Sequence, residues 1–427
     1  MRTKRIFFML LVTLIAAALF ATPVVEEVAE EAITEITILS TQNYEGNEML
    51  RYGVDKFHED YPEVAVRSLM LDLSTGSTMT MDALHEADLR PNIYWDHPSR
   101  VSKYMIPGYA YPLDDAIRDL DQYNDGVLDL YRKAGVLYGI PLSGNPNAMC
   151  INLDIMADIG YTVPDNWTID DFLEMCELVK QFYGGEKWGT MMYAKTMSGD
   201  YQINTWWGAF GAEMFADGDY SRTAIRETGG AKVHEFYQTL QREGYIEPDS
   251  ATLDDGYSFG AFGEGKYAAI PFFGGSAGHY MGQAVDRGFD PFEYTFVEFP
   301  SATGEPVPVY AAGASMVVIE TGTAADAMAA RLVEYLNDAT AQAFSTRKGG
   351  PTANRKDFIL ESTNEYTAMC SEIAARNGFQ DIGLLSPFAA AVRAQHFTIL
   401  QRVLNFELTP EESILLYETT VNGVLSY

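Results

Sequence analysis

Val136-Leu-Tyr-Gly-Ile-Pro-Leu-Ser-Gly-Asn-Pro-Asn-Ala-Met-Cys-Ile151 holds two apolar runs separated by Ser143-Gly-Asn-Pro-Asn147. Glycine, proline and asparagine so close together punctuate a strand rather than continue it. A compact sheet tolerates such a break badly, whereas a chain crossing from one lobe to another needs it. A crossover is therefore expected at residues 144–147. Downstream, Tyr310-Ala-Ala-Gly-Ala-Ser-Met-Val-Val-Ile319 passes from a small-residue loop into a β-rich run, which places a second crossover at residues 310–313. The expected division is a first lobe of residues 36–143 and 314–378 and a second of residues 148–309 and 379–427.

Upstream of the first crossing, the periodicities alternate between strand and helix. Ile36 to Ser40 reads as a strand, and Asn47 to Tyr61 as an amphipathic helix with Met49, Leu50, Val54 and Phe57 on one face. Val64 to Leu71 is a second strand, Met79 to Ala87 a helix, and Asn92-Ile-Tyr-Trp-Asp96 a third strand. This order predicts a parallel sheet covered by helices. Downstream, Leu153 leads to Gly160, and Thr168 is placed to cap a helix over Ile169 to Tyr183 with Asp171 at its third position. Trp188–Met192, Tyr267–Phe272 and Tyr294–Val297 are expected strands. Ala324–Leu336 and Ala339–Ser345 are expected helices.

The N-terminus, Met1-Arg-Thr-Lys-Arg5 followed by an apolar run from Ile6 to Phe20, has the form of an export signal over residues 1–21. An acidic spacer over residues 22–35 follows it. The first cysteine is Cys150, so no lipid anchor is expected near a processed N-terminus, and the protein is expected in the periplasm or secreted. The 427 residues exceed what one hydrophobic core usually serves, so two domains are expected. A formal charge of −31 argues against nucleic acid, whose phosphates demand basic patches. Cys150, Cys176 and Cys370 each fall in an apolar periodic stretch and read as buried free thiols.

Several segments resemble the extracellular solute-binding proteins of bacterial ABC importers, in the sugar-binding, maltose-binding-protein-like group. They are the polar loop with Tyr44, the helix ending Phe57-His-Glu-Asp-Tyr-Pro62, Leu137-Tyr-Gly-Ile-Pro141, Pro164-Asp-Asn-Trp-Thr-Ile-Asp-Asp-Phe172, Phe262-Gly-Glu-Gly-Lys-Tyr-Ala-Ala-Ile270 and Gly350-Pro351-Thr352. Their order and spacing carry the resemblance from about residue 36 to the C-terminus. Asn166 stands where threonine is usual, and Ile270 where methionine is. The resemblance implies an α/β, two-lobed periplasmic-binding-protein fold of type II, each lobe a sheet covered by helices and joined by hinged crossovers. It also implies a monomer that closes on a small solute and delivers it to a membrane permease, without cofactor or metal.

On that reading the ligand sits beyond the strand ends, where loops converge. Aromatic faces pack on the C–H faces of a pyranose, and carboxylates and amides collect its hydroxyls. The candidate ligand-binding residues are Tyr44, Glu45, Trp95, Asp96, Asn145, Asn147, Trp206, Trp207, Phe273, Gly274 and Tyr310. Asp96 stands out because a short carboxylate at a strand end has little reason to be buried except to bind. Acidic residues outnumber basic ones by 60 to 29, which favours a neutral ligand, a mono- or oligosaccharide.

The alternative is an exported serine hydrolase. Gly274-Gly-Ser276-Ala-Gly278 satisfies the G-x-S-x-G pattern, with His396 downstream. Asp121-Gln-Tyr-Asn-Asp-Gly126 falls short of a calcium loop, with Tyr123 and Arg132 where acidic ligands belong. The six histidines have no metal-ligand spacing.

Overall fold

The computed structural model describes residues 34–40, 47–70, 77–123, 128, 131–195, 200–215, 220–341, 355, 365–378, 380, 383, 386 and 388–426. Strand β1 (Glu35–Ser40) buries every residue after Glu35, as a strand covered on both faces does. Helix α1 (Glu48–Asp60) starts where the Asn47 side chain accepts from the Leu50 amide. It buries Met49, Leu50, Gly53, Val54 and Phe57, the face expected from the sequence. Strand β2 (Ala65–Met70), helix α2 (Ser77–Glu86) and strand β3 (Ile93–Asp96) follow. β1 pairs in parallel with both β2 and β3, so the carboxyl ends of all three point the same way. A single helical turn, α3 (Pro98–Val101), begins at once beyond β3.

Strand β4 (Ile140–Asn152) is where the sequence reading fails. The expected break at residues 144–147 is not a loop but the middle of a 13-residue strand, irregular only between Pro141 and Ser143. It is held from the other side by strand β7 (Ala311–Val318), which begins inside the stretch expected as the second loop. Gly144 pairs with Gly313, Asn145 with Ala312 and Pro146 with Ala311, antiparallel. Backbone amides and carbonyls satisfy one another here whatever the side chains. Two segments that each look too poor for a strand thus stabilise each other.

β4 continues into helix α4 (Leu153–Ile159), closed by Gly160 in the left-handed conformation. Helix α5 (Ile169–Tyr183) has the expected bounds, with a reciprocal capping box between Thr168 and Asp171. Then come helices α6 (Asp200–Ala209), α7 (Gly230–Arg242) and α8 (Asp255–Gly263), strand β5 (Ala269–Phe273), helix α9 (Gly274–Asp286) and strand β6 (Tyr294–Val297). The strand expected over Trp188–Met192 is reduced to one bridge between Trp188 and Tyr267. After β7 the chain forms helices α10 (Ala325–Leu336), α11 (Glu365–Asn377), α12 (Ala389–Leu404) and α13 (Pro410–Leu425). Of the helix expected over residues 339–345, only residues 339–341 are among those described, and they are helical.

The sheet runs β2-β1-β3-β7-β4-β5, with β6 also on β4. Two apolar cores lie along it. The first joins β1, β2 and β3 with α1, α10 and the Ile140 and Met316 ends of the long strands. Gly53 lets α1 and α10 join closely, since a Cβ there would stand 2.7 Å from the Leu336 side chain. The second gathers α5 to α9 and α11 to α13 around the Ala148–Ile151 half of β4. Cys370, Ile373 and Ala374 of α11 belong to this second core, whereas the sequence reading grouped residues up to 378 with the first lobe. Arg355 still bonds to the first lobe, through the Asn337 carbonyl and Asp119.

Candidate functional site

The parallel strands of the first lobe direct their carboxyl ends at the seam between the cores. β3 ends beside the crossing itself, because Asp96 is the register partner of Ser315, two residues beyond Gly313 of the paired crossing segments. Ser315 is fixed there by the Tyr131 hydroxyl at 2.7 Å.

Asp96 is buried, but not for the reason expected. One carboxylate oxygen accepts from the His97 amide at 2.6 Å and from Arg100 Nη2 at 2.5 Å. The other accepts from the Tyr94 hydroxyl at 2.9 Å and from Arg100 Nε at 2.8 Å. A carboxylate offers about four acceptor sites, and all are filled within the protein. Asp96 therefore anchors a bidentate Arg100 and has no acceptor capacity left for sugar hydroxyls.

The next two residues reach further. The Ser99 amide donates to His97 Nδ1 at 3.3 Å, and Ser99 Oγ lies 2.8 Å from the same nitrogen. Burial, then the charges of Arg393 and Arg100, hold the His97 imidazole well below its ordinary pKa, so it is neutral and Nδ1 accepts. Arg393 of α12 donates to Ser99 Oγ at 2.7 Å, across the seam between the cores. One turn on, Ser102 Oγ donates to the Ser386 carbonyl at 2.9 Å, again across the seam. Sequence reasoning passed over His97, Ser99 and Arg393. No local signal joins Ser99 to a residue 294 positions away.

A second clasp lies on the other side of the crossing. Asn147 and Tyr310 bond reciprocally: the Asn147 amide donates to the Tyr310 carbonyl at 2.9 Å, and the Tyr310 amide to Asn147 Oδ1 at 3.0 Å. Asn147 Nδ2 also reaches Thr205 of α6 at 2.6 Å. Both residues are fully buried and lock the paired strands to the second lobe. Asn145 lies on β4 opposite Ala312. Trp95 is on β3, nearly buried, opposite Met316. Tyr44 and Glu45 lie outside the described residues.

Trp206 and Trp207 were expected on a loop and are instead on α6, neither with any exposed surface. Trp206 packs on Phe172 and Phe236 with ring centroids 5.1 and 4.8 Å away, and Trp207 faces His234, His396 and Tyr417. Phe273 ends β5 and is buried. Gly274 was expected to give close approach to a ligand, but a Cβ there would stand 2.4 Å from the Tyr366 carbonyl oxygen. The close approach is to α11. Cys150, Cys176 and Cys370 are buried and free, and burial pushes all three thiols upward.

The hydrolase alternative gains nothing from this geometry. A nucleophile elbow holds its serine on a sharp, strained turn. Ser276 is within α9, and the non-glycine residues with positive φ among those described are Asp88, Ala134 and Phe406. His396 sits in the second core among the rings of Trp207, Phe397 and Tyr417. Among the described residues, no group of side chains is arranged to hold a metal, and no helix is long and apolar enough to cross a membrane.

A family model described as bacterial extracellular solute-binding protein matches residues 54–368. No curated protein sequence matches the chain. Several solved structures share its fold. An ABC transporter solute-binding protein from Thermotoga lettingae, bound with α-D-tagatose, is 19% identical with a TM-score of 0.74, covering 92% of this chain and 100% of that one. The cyclic α-maltosyl-1,6-maltose-binding protein of Arthrobacter globiformis is 20% identical, with a TM-score of 0.72 over 92% and 99% of the two chains. The sugar-binding protein MalE of Xanthomonas citri is 16% identical, with a TM-score of 0.74 over 92% and 98%.

Proposed function

Because this chain belongs to the bacterial extracellular solute-binding proteins, we propose that it captures a mono- or oligosaccharide between its lobes and passes it, chemically unchanged, to the permease of an ABC importer. The observation that carries the reading is the seam. Two separately packed cores are joined by paired crossing segments, with the carboxyl ends of three parallel strands directed at the seam. Ligands of open α/β sheets bind beyond such ends. Closure of lobes about crossing strands is a recurrent way to report occupancy.

Trp95 and the segments after β1 and β3 are the proposed sugar contacts in the first lobe, with Phe273 opposite. Trp206 and Trp207 are left to the core and Asp96 to Arg100. Solved structures of the same fold, one bound with α-D-tagatose and one named for binding cyclic α-maltosyl-1,6-maltose, support the substrate class. Residence in the periplasm or as a secreted protein goes with this reading.

The test is thermal unfolding of the leader-free protein against tagatose, maltose, maltotriose, amino acids, short peptides and metal salts. A ligand at ~100 times its dissociation constant adds ~2.7 kcal/mol of stability. A shift with a sugar is expected, and the sugar should be recovered intact. A shift with another class alone keeps the capture reading and overturns the substrate. Turnover of any of these compounds would overturn capture without chemistry.

A further inference from the structure

The interlobe relay from Arg393 through Ser99 to His97 is built unlike a chance surface contact. Arg393 has only donors, so Ser99 Oγ must accept from it. The Ser99 amide already commits His97 Nδ1 to accepting, so the hydroxyl proton is directed at that nitrogen. The result is a one-way chain of hydrogen bonds whose charged end is on α12 of the second lobe and whose terminus is at the end of β3 in the first. Members of such a chain polarise one another. Ser99 is buried, and Arg100 is held away from it by Asp96, leaving the approach to Arg393. The relay also lies beside the crossing, through the pairing of Asp96 with Ser315.

We propose that Arg393 is the positioning residue that holds the lobes closed, its bond to Ser99 being made only when the second lobe swings onto the end of β3. Its expected effect is on the balance of open and closed forms rather than on direct contact with ligand. This role rests on the capture reading, but the first test needs no ligand. Dyes attached at Glu59→Cys on α1 and Glu235→Cys on α7 report the interlobe distance, and the three native cysteines are buried and do not compete for label. In the unliganded protein, Arg393→Gln should lower the closed-to-open ratio about tenfold, as expected for loss of a hydrogen bond from a charged donor. Ser99→Ala should also lower it, and the double variant by less than the two effects combined, because the bond they share can be lost only once.

Unchanged interlobe distances in folded Arg393→Gln would overturn the proposal, since the contact would then persist in both forms. So would additive effects of the two substitutions. The same labelled variants with maltotriose keep the two readings apart. Closure by maltotriose in the parent and faster release in Arg393→Gln support both. A ratio that responds to Arg393→Gln while no sugar closes the parent overturns the sugar and leaves the clasp.

Discussion

The two cores are made of different material, and each handles its polar groups in its own way. The first packs α1 and α10, which touch at Gly53 and Leu336, with a sheet that holds three parallel strands, and the charged groups Asp96 and Arg100 sit at its edge on the seam. The second is an aromatic assembly. Phe172, Trp206 and Phe236 form one run, and Phe259, Phe262 and Phe272 another, with centroids 4.8 to 5.1 Å apart along each. Its buried histidines stand inside that assembly, far from any surface role. The contrast teaches that an aromatic residue in this chain is not by itself a mark of the ligand site. Aromatic pairs are worth about 0.5–1.5 kcal/mol beyond their burial, reason enough to place them in a core. The functional seam is marked by short polar side chains that reach from one core to the other.

The largest expected effect tests the second core. Trp206→Ala should cost about 3–5 kcal/mol in urea unfolding and leave sugar affinity unchanged in the folded fraction. Lost affinity at preserved stability would return Trp206 to the cleft and break the contrast. Next is Asp96→Ala, which strands a partly buried arginine and the Tyr94 hydroxyl. It should cost about 2–3 kcal/mol of stability, with affinity affected only through Arg100. A purely affinity-based loss would make Asp96 a ligand contact after all.

The smallest effect is a pH dependence. Burial, then the neighbouring His396, lowers the His234 pKa to about 3, while the unfolded chain titrates near 6.5. Below that pH the unfolded state takes up a proton that the folded state refuses, so stability falls on acidification and goes on falling toward pH 3. Between pH 6.5 and 5 the loss is about 1.6 kcal/mol for this residue. Comparing unfolding free energies at the two pH values in the parent and in His234→Gln isolates it from the carboxylates. Equal slopes would remove His234 as the cause.

Local chemistry was legible in the sequence. Thr168 and Asp171 act within one helical turn, so adjacent residues suffice to place the cap. The buried face of α1 was legible for the same reason, since its period is fixed by the helix. Residues 144–146 and 311–313 read as loops but pair as strands, because a strand's stability there comes from a partner more than 160 residues away. Asp96 was correctly placed at the end of β3 and expected to bury. Its partner Arg100 is four residues on, but the single turn that aims it was not visible as a helix.

The sequence alone determined the strand and helix order of the first lobe, the start and end of α5 and the resemblance to a family. These depend on periodicity and on contacts within a few residues. Only the tertiary structure decided that the crossings pair as strands, that α11 packs with the second core, that Trp206 and Trp207 are interior, and that Arg393 meets Ser99. Each of those depends on which surfaces compete to bury the same area or share the same hydrogen bond, and that competition is settled only when the whole chain is packed.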